Sequence, residues 1–168
     1  MNILHEIVFH DEKRVIKITN TIVDLLWNKR QLIYSYPESG GILIGRENIT
    51  NNNLIIEFAT SPMPEDIQKR SRFIRKDSGH LEFYQNLYNE NNGIYRYVGE
   101  WHTHSERIPE YSMIDKKNWK KILKNDKCNT IQYHLIAGLE AVRIWKIKSG
   151  SIIKPQLICT QFWRNIIK

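Results

Sequence analysis

The sequence predicts a layered α/β domain built around a central sheet. Three observations support this prediction: strand-like and helix-like segments alternate along the chain, short apolar runs suit buried strands, and longer segments repeat their apolar residues at helical spacing. The length of 168 residues favours a single domain, covering 1–168, with one core. No internal repeat, low-complexity run or long linker divides the sequence.

The first half of the chain begins with two strand signals and then shows one helix. The predicted elements are strands at 7–9 and 15–18, a helix at 19–34, a strand within 38–46, a turn at 51–53, a strand at 54–59 and a loop at 62–77. Pro37 is expected to stop the helix, because proline has no amide hydrogen to donate. The sequence ESGGILIGR then places two glycines before an apolar run, which predicts a buried strand.

The second half of the chain continues the alternation. Its predicted elements are a helix after Ser78, a strand at 95–104, a helix at 112–124, strands at 131–137 and 141–148, and an apolar C-terminal segment. Ser78 is typical of a helix N-cap, and Leu81, Tyr84 and Leu87 follow it at helical spacing. The sequence NENNG closes this helix with Gly93 near the C′ position.

The composition argues against several classes of protein. No apolar run approaches the roughly 18 residues that a membrane helix needs, and the start MNILHEIVFHDEKR lacks the pattern of a signal peptide. Cys128 and Cys159 are too few for a disulfide framework or a thiolate zinc site. We therefore expect a cytoplasmic protein without a membrane partner.

The formal charge of +7 makes nucleic acid a partner to consider. The cations are scattered, with local clusters at 69–76 and 115–127, and no helix-turn-helix, zinc-finger or RNA-recognition pattern accompanies them. Nucleic acid is therefore an unlikely partner. The basic surface is interpreted as solvated, or as a surface that steers an acidic partner protein.

Two histidines fall on one face of the strand at 95–104, because alternate side chains of a strand share a face. The two faces hold Val98, Glu100, His102 and His104 on one side, and Tyr97, Gly99 and Trp101 on the other. The Cα atoms of His102 and His104 are then about 7 Å apart, which allows both imidazoles to bind one metal.

The next helix supplies a third metal-ligating side chain. Asp115 lies on the same helical stripe as Trp119 and Leu123, and a buried carboxylate there is costly unless it is paired or ligated. A metal held by the two histidines would satisfy it. Ser112 and Asp115 also have the spacing of a capping box, and the two interpretations are compatible.

Two histidines and one aspartate with an open fourth position are typical of a catalytic zinc site. Water would fill that position, and a general base that is not itself a ligand must lie beside it. The spacing leaves four glutamates as candidates for this base: Glu38, Glu100, Glu106 and Glu110.

These residues together resemble a known family. His102-x-His104, seven residues, Ser112, two residues and Asp115 is the spacing of the JAMM zinc metallopeptidases, also called MPN-plus or JAB-domain proteins. The family also carries a glutamate before a strand that begins with two glycines, and Glu38 in ESGGILIG stands at that position. The predicted order of helices and strands fits the family over nearly the whole chain.

The resemblance implies the cytidine-deaminase-like α/β sandwich of JAB/MPN domains, with a central mixed sheet flanked by helices. It implies a Zn²⁺ cofactor bound by His102, His104 and Asp115. Glu38 would be the acid/base that takes a proton from the zinc-bound water and delivers it to the leaving amine. Ser112 would hydrogen-bond the oxyanion of the tetrahedral intermediate.

Other residues near the motif keep more than one interpretation. Glu100 would orient a histidine or pair with a nearby base, and Glu106 and Glu110 would lie at the rim. Gly40 and Gly41 are either a flexible turn or the glycines that let the chain bring the catalytic acid close to the metal.

The sequence departs from the family pattern beside the second histidine. Ser105 stands where proline usually follows, and the connector ERIPEY is more charged than usual, which affects the rim rather than the ligands. The stretch GEWHTH-x-E in a short chain is most similar to bacterial stand-alone JAB proteins. Many of these accompany ubiquitin-activating- and conjugating-type enzymes in antiphage operons, which makes such enzymes expected partners.

The leading functional hypothesis is a zinc isopeptidase that hydrolyses the amide between the C-terminus of a ubiquitin-like or similarly conjugated protein and its target. The substrate tail would lie extended and add to a sheet edge, and the loop at 62–77, with Phe73 and Arg75, would form one wall. The alternatives are a non-catalytic MPN-type protein-binding scaffold and a small-substrate or sulfur-carrier-processing zinc hydrolase of the same fold.

Overall fold

The computed structural model describes residues 5–167 and shows ten strands and three α-helices in that part of the chain. The strands are β1 Ile7–Asp11, β2 Arg14–Ile18, β3 Gly40–Glu47, β4 Leu54–Ala59, β5 Ile67–Lys69, β6 Arg72–Ile74, β7 Tyr95–Thr103, β8 Ile131–Ala137, β9 Ala141–Lys148 and β10 Gln156–Phe162. The helices are α1 Asn20–Asn28, α2 Gly79–Glu90 and α3 Met113–Asn125, with a short 3₁₀ turn at Trp163–Asn165.

Eight strands form one sheet in the order β1-β2-β4-β3-β7-β8-β9-β10, and β5 and β6 pair separately as a hairpin. Neighbouring strands of the large sheet are antiparallel except β2 with β4 and β7 with β8, which are parallel. The predicted central mixed sheet with flanking helices is therefore confirmed. β3 and β7 lie side by side near its middle.

The helices cover both faces of the sheet. On one face, Ile22 and Leu26 of α1 lie in the largest core cluster together with Trp101 of β7. On the other face, α2 packs on β3 and β7 through Tyr84 and Leu87. Full burial of an aliphatic side chain such as Ile22 or Leu26 contributes roughly 1.5–3 kcal/mol to stability.

α3 packs beside α2 on the second face of the sheet, over β8 and β9. Trp119 and Leu123 of α3 form a separate cluster with Ile136, Trp145 and Ile147. This packing fixes the direction of α3, and therefore the position of its N-terminal turn at the end of β7.

α1 is shorter than the helix predicted at 19–34. Arg30 ends it, because its Nε donates to the carbonyl oxygen of Trp27 at 2.8 Å and its guanidinium stacks on that indole. Gln31 is buried and donates to carbonyl groups of two later loops, so long-range hydrogen bonds replace the helical ones. Ile33, which falls within the predicted helix, lies outside α1 and is half exposed.

The segment 62–77 is not simply a loop, because it contains the hairpin β5–β6. The carboxylate of Asp66 organises it by accepting hydrogen bonds from the backbone N–H groups of Met63, Lys76 and Asp77. His80 at the start of α2 is fully buried, and its Nε2 lies 2.7 Å from Asp66 Oδ2. No local sequence pattern shows that a single carboxylate holds such a segment together.

A bulge in β7 changes which side chains share a face. The register between β3 and β7 shifts at Val98, which has no partner on β3. Val98 and Trp101 both pack in the largest core cluster, whereas Tyr97 packs on the opposite face, near Glu100. The predicted grouping of Val98 with Glu100, and of Tyr97 with Trp101, is therefore wrong.

The end of α2 differs from its prediction by one residue. Asn92 takes the left-handed C′ conformation with φ 55°, and Gly93 follows it with φ 72°. The N–H of Gly93 donates to the carbonyl of Tyr88 at 2.8 Å, as in a Schellman motif.

Among residues 5–167, no helix has the length and apolar character needed to cross a membrane. The assignment of 1–168 to a single domain stays a prediction.

Candidate active site

The end of β7 carries both histidines, and β3 brings the Glu38 segment against it. Gly40 pairs with His102 in the antiparallel register of the two strands. Thr103, the residue between the histidines, binds Ser39 twice: its backbone N–H donates to the Ser39 carbonyl at 2.9 Å, and its Oγ1 accepts from the Ser39 N–H at 3.0 Å. Glu38 is therefore fixed beside the two imidazoles although it is far away in the sequence.

The two glycines after Ser39 lie in a strand rather than in a flexible turn. A Cβ on Gly40 would lie 2.8 Å from the carbonyl oxygen of Trp101 and would overlap the Phe73 ring. A Cβ on Gly41 would overlap the carbonyl oxygen of Thr60. Close packing around the Glu38 segment, not flexibility, explains both glycines.

The side chains of His102, His104 and Asp115 converge at one point, with their candidate ligand atoms all within 4.8 Å of one another. His102 Nε2 lies 3.1 Å from His104 Nε2 and 3.2 Å from Asp115 Oδ1. His104 Nε2 lies 3.5 Å from Asp115 Oδ2. The structure thus brings together the three residues predicted to bind metal.

Asp115 also completes the predicted capping box at the start of α3. Its N–H donates to Ser112 Oγ at 3.1 Å, and its Oδ2 accepts from the Ser112 N–H at 2.6 Å. Burial opposes ionisation of Asp115, but its contacts with the His102 and His104 imidazoles outweigh it, so its pKa lies well below the usual range. The Asp115 carboxylate therefore caps α3 and also belongs to the group of candidate metal ligands.

The donor set suits a zinc ion. Two Nε2 atoms face each other at 3.1 Å, where two lone pairs repel unless a cation or a proton lies between them. His104 Nδ1 is 3.1 Å from Glu106 Oε2, which fits a tautomer with its proton on Nδ1 and a free lone pair on Nε2. Two imidazoles and one carboxylate are the ligand types of catalytic zinc rather than of magnesium or calcium.

Glu38 is the candidate base placed closest to the metal-ligating atoms without joining them. Its Oε1 lies 3.9 Å from His104 Nε2, and the residue is 7% exposed. Burial raises the pKa of Glu38 and the neighbouring charges of His102 and His104 partly offset this, which leaves it above the ordinary value. Such a shift suits a carboxyl group that exchanges a proton near neutral pH.

The other three candidate bases have other partners. Glu100 Oε1 accepts from Arg75 Nε at 2.7 Å, so it belongs to a salt bridge with the β5–β6 hairpin. Glu110 pairs with Arg143. Glu106 is half exposed, as expected for a rim residue, but it also contacts His104 Nδ1.

Sequence reasoning missed the buried support beneath the histidines. Trp119 stacks on His134 with ring centroids 4.7 Å apart, and its ring centroid also lies 6.3 Å from that of His102. His134 Nδ1 accepts from the backbone N–H of Glu100 at 3.2 Å. Complete burial lowers the pKa of His134 to about 3, so it is neutral. A histidine inside an apolar strand carries no sequence signal that distinguishes this role.

A cleft of about 540 Å³ contains all five predicted site residues. Its walls are the β5–β6 hairpin, through residues 70–75, and the exposed side of α3, through residues that include Asn118 and Lys121. The floor holds the histidine pair with Glu38 and Asp115. Ser112 is exposed at the edge of the cleft, beside Asp115.

Known proteins are similar to this chain in sequence and in fold. The sequence model of the family described as "Prokaryotic homologs of the JAB domain" matches residues 29–148. A protein from Escherichia coli (strain TW11681) is 36% identical over 117 residues, which cover 69% of this chain and 74% of that protein. A protein from Vibrio cholerae serotype O1 is 32% identical over 123 residues, covering 73% and 78%.

A third relative, from Pseudomonas aeruginosa, is 28% identical over 150 residues, covering 86% of this chain and 92% of its own. All three relatives carry the name CD-NTase/cGAS isopeptidase. The solution structure of a protein from Desulfitobacterium hafniense superimposes with a TM-score of 0.53 at 17% identity, covering 83% of this chain and 88% of that one, and shows the fold alone. On the family match and these relatives, the chain belongs to the prokaryotic JAB-domain family.

Proposed function

We propose that this protein is a zinc-dependent isopeptidase that hydrolyses the amide joining the C-terminus of a ubiquitin-like or similarly conjugated protein to its target. The observation that carries the proposal is the convergence of His102, His104 and Asp115, with the Glu38 carboxylate beside them, on the floor of a cleft. The isopeptidase names of the relatives support a deconjugating hydrolase.

Zinc would be held by Nε2 of His102, Nε2 of His104 and a carboxylate oxygen of Asp115. When bound, the metal supplies a Lewis acid that polarises the amide carbonyl and acidifies the attacking water. Glu106 would keep His104 in the tautomer that presents Nε2, because its carboxylate accepts a hydrogen bond from the Nδ1–H.

Glu38 would move the proton. Its carboxylate lies 3.9 Å from His104 Nε2, close enough to reach the attacking water while staying outside the ligand set. It would accept the proton of that water and then deliver it to the nitrogen of the leaving lysine. Burial raises the pKa of Glu38, which makes its carboxylate a stronger base for the first transfer.

Ser112 would stabilise the developing oxyanion. Its Oγ already accepts the Asp115 N–H as a helix cap, and its own hydroxyl hydrogen remains available to donate. A donor fixed before the reaction stabilises the transition state at little reorganisation cost. The side chain is held by the first turn of α3, so its position depends on the capping box.

The substrate tail would lie extended along β6. Within residues 5–167, β6 pairs only with β5; on its other edge the Phe73 N–H faces the Glu38 carboxylate, and no strand pairs with the remaining backbone groups. Residues 72–75 line the cleft directly. An extended tail added to this edge would lead its C-terminal amide to the floor, the usual geometry of β-strand addition.

The relatives' name suggests that the conjugate contains a CD-NTase/cGAS-type protein. We place the reaction in the cytoplasm, where both cysteines, Cys128 and Cys159, stay free thiols. Ubiquitin-activating- and conjugating-type enzymes of an antiphage operon would be the partners that make the conjugate. The complete set of converging residues supports a catalyst over an MPN-type scaffold.

The test measures zinc content and hydrolysis of a protein conjugate with the purified protein. We expect about one zinc per chain and cleavage in the wild type. Glu38→Gln should keep zinc but lose turnover by roughly 10²–10⁴-fold. Glu90→Gln, on the exposed end of α2, is the matched control and should behave as wild type.

Two results would contradict the proposal. Loss of zinc in Glu38→Gln would make Glu38 a ligand, and its assignment as the proton carrier would be wrong. Cleavage of small amides without any cleavage of protein conjugates would instead support a small-substrate hydrolase.

A further inference from the structure

We infer that the cleft selects substrates that carry acidic side chains where the chain passes between the two walls of the cleft. The inference rests on the proposed function, because it names the chemistry of the chain that the same cleft would take. It is drawn from the distribution of paired and unpaired charges along the cleft.

Every carboxylate that lines the cleft lies within 4 Å of a histidine or arginine nitrogen. The pairs are Glu38 with His104, Glu100 with Arg75, Glu106 with His104, and Asp115 with His102. These carboxylates lie on the floor or beside it. Because each has a cationic or titratable partner, they do not neutralise the cations farther out.

Three cations of the same cleft lack such a partner. Arg70 and Arg72 lie on the hairpin and Lys121 lies on α3, so they occupy opposite walls. None of the three lies within salt-bridge distance of a carboxylate in the part of the chain that the structure describes. All three are exposed. A chain lying between the walls would meet positive charge on both sides.

Arg70, one of the two cations on the hairpin, is held in place before any substrate binds. The guanidinium carbon of Arg70 lies 3.5 Å from the centroid of the Tyr34 ring. The carbonyl of Arg70 also accepts from Gln31 Nε2 at 2.8 Å, and the Lys69 carbonyl accepts from the Glu38 N–H at 2.9 Å. The tip of the hairpin is therefore tied to the segment that carries the proposed catalytic acid.

An acidic polypeptide fits this cleft better than a nucleic acid does. A phosphodiester backbone carries a charge on every unit, so it would also bring negative charge to the floor, where the Glu38 and Asp115 carboxylates lie. A peptide presents neutral amides there and carries its charge on side chains that alternate along the strand. The free edge of β6 supplies hydrogen-bonding groups for such an extended chain.

The experiment uses three isopeptide-linked peptides of equal length that carry Glu, Gln or Lys along the segment that would lie between the two walls. With the zinc-loaded wild type, we expect kcat/KM to be about tenfold higher for the Glu peptide than for the Gln peptide, and lowest for the Lys peptide. The preference should weaken as salt concentration rises, because these cations are exposed.

Charge-reversal variants locate the preference. Arg72→Glu and Lys121→Glu should each lower kcat/KM for the Glu peptide and raise it for the Lys peptide. Misfolding of a variant would instead lower kcat/KM for both peptides. Lys13→Glu is the control, because Lys13 lies on the β1–β2 turn and does not line the cleft. Lys13→Glu should leave kcat/KM for all three peptides unchanged.

A binding measurement separates this inference from the proposed function. Fluorescence anisotropy of the same peptides on zinc-loaded Glu38→Gln reports charge preference without turnover. If the wild type cleaves neither these peptides nor a protein conjugate, the proposed function fails while the order of binding still tests the inference. Equal binding of the three peptides, or tighter binding of a single-stranded oligonucleotide than of the Glu peptide, would overturn it.

Discussion

Arg75 Nε lies 2.7 Å from Glu100 Oε1, and this salt bridge joins the β5–β6 hairpin to the strand that carries both histidines. Arg75 is 23% and Glu100 13% exposed in their side chains, so water screens the pair only partly. Burial lowers the pKa of Arg75, but the charge and hydrogen bond of Glu100 outweigh it and raise that pKa. The pair therefore ties one wall of the cleft to its floor.

Removing one partner of this salt bridge should loosen the hairpin. Arg75→Leu leaves the Glu100 carboxylate without its cation, and we expect a loss of about 1–3 kcal/mol in the free energy of unfolding, measured with urea. The double variant Arg75→Leu/Glu100→Leu should recover part of that loss. Arg107→Leu breaks an exposed pair with Glu140 and should leave stability unchanged. Equal losses of unfolding free energy in Arg75→Leu and Arg107→Leu would show that partial burial gives the Arg75–Glu100 pair no special role.

The sequence predicted the fold class and the convergence of three polar side chains, but it did not decide which glutamate lies beside them. His102, His104 and Asp115 could be predicted because strand and helix periodicity put them on the surfaces that meet at the site. Glu38 could not be chosen over Glu100 by periodicity, since its position depends on the register between β3 and β7. The family resemblance indicated Glu38, and the structure places its carboxylate beside His104.

Three structural features differ from their sequence predictions for one physical reason: the end of α1, the segment 62–77 and the faces of β7. α1 ends early because Arg30 and Gln31 bind carbonyl groups in place of helical amides. The segment 62–77 forms a hairpin because Asp66 gathers its backbone amides. The alternation of β7 reverses at Val98 because of a bulge. Each outcome depends on contacts between distant or irregular parts of the chain, which local patterns do not encode.

Loss of Glu106 should weaken metal binding without abolishing it. Glu106→Ala removes the acceptor 3.1 Å from His104 Nδ1, so the imidazole loses the contact that fixes its tautomer. We expect zinc affinity, measured by competition with a chelator, to fall about 10–100-fold. Glu110→Ala is the matched control, because Glu110 pairs with Arg143 instead of a histidine. An unchanged zinc affinity in Glu106→Ala would show that Glu106 does not support metal binding.

A methyl group at Gly41 should disturb the strand that leads from Glu38. The added Cβ would overlap the carbonyl oxygen of Thr60, a backbone atom that cannot rotate away. We expect Gly41→Ala to lower the free energy of unfolding by about 1–3 kcal/mol and to reduce conjugate cleavage. Gly150→Ala serves as the control, since nothing lies within 4 Å of its Cβ position. Wild-type stability in Gly41→Ala would show that the strand shifts freely.

Acid should weaken the fold in part through Asp66. Burial alone would raise the pKa of Asp66, but N–H groups of Asp77 and Met63, with His80 and Lys76, lower it to about 2. The unfolded chain has an aspartate pKa of about 3.9. Because the folded value is the lower one, the stabilisation is fully present above about pH 4 and is lost as the pH falls towards about 2.

The measurement compares unfolding free energies of wild type and Asp66→Asn between pH 5 and pH 2, both approximate limits set by these two pKa values. We expect wild type to be more stable by about 2 kcal/mol at the upper end, with the difference shrinking as pH falls, because an amide cannot accept three N–H groups as a carboxylate does. Asp24→Asn on α1 is the control, since Asp24 makes no side-chain hydrogen bond among the described residues. A difference between wild type and Asp66→Asn that stays constant with pH would mean that shape, rather than the charge of Asp66, holds the hairpin against α2.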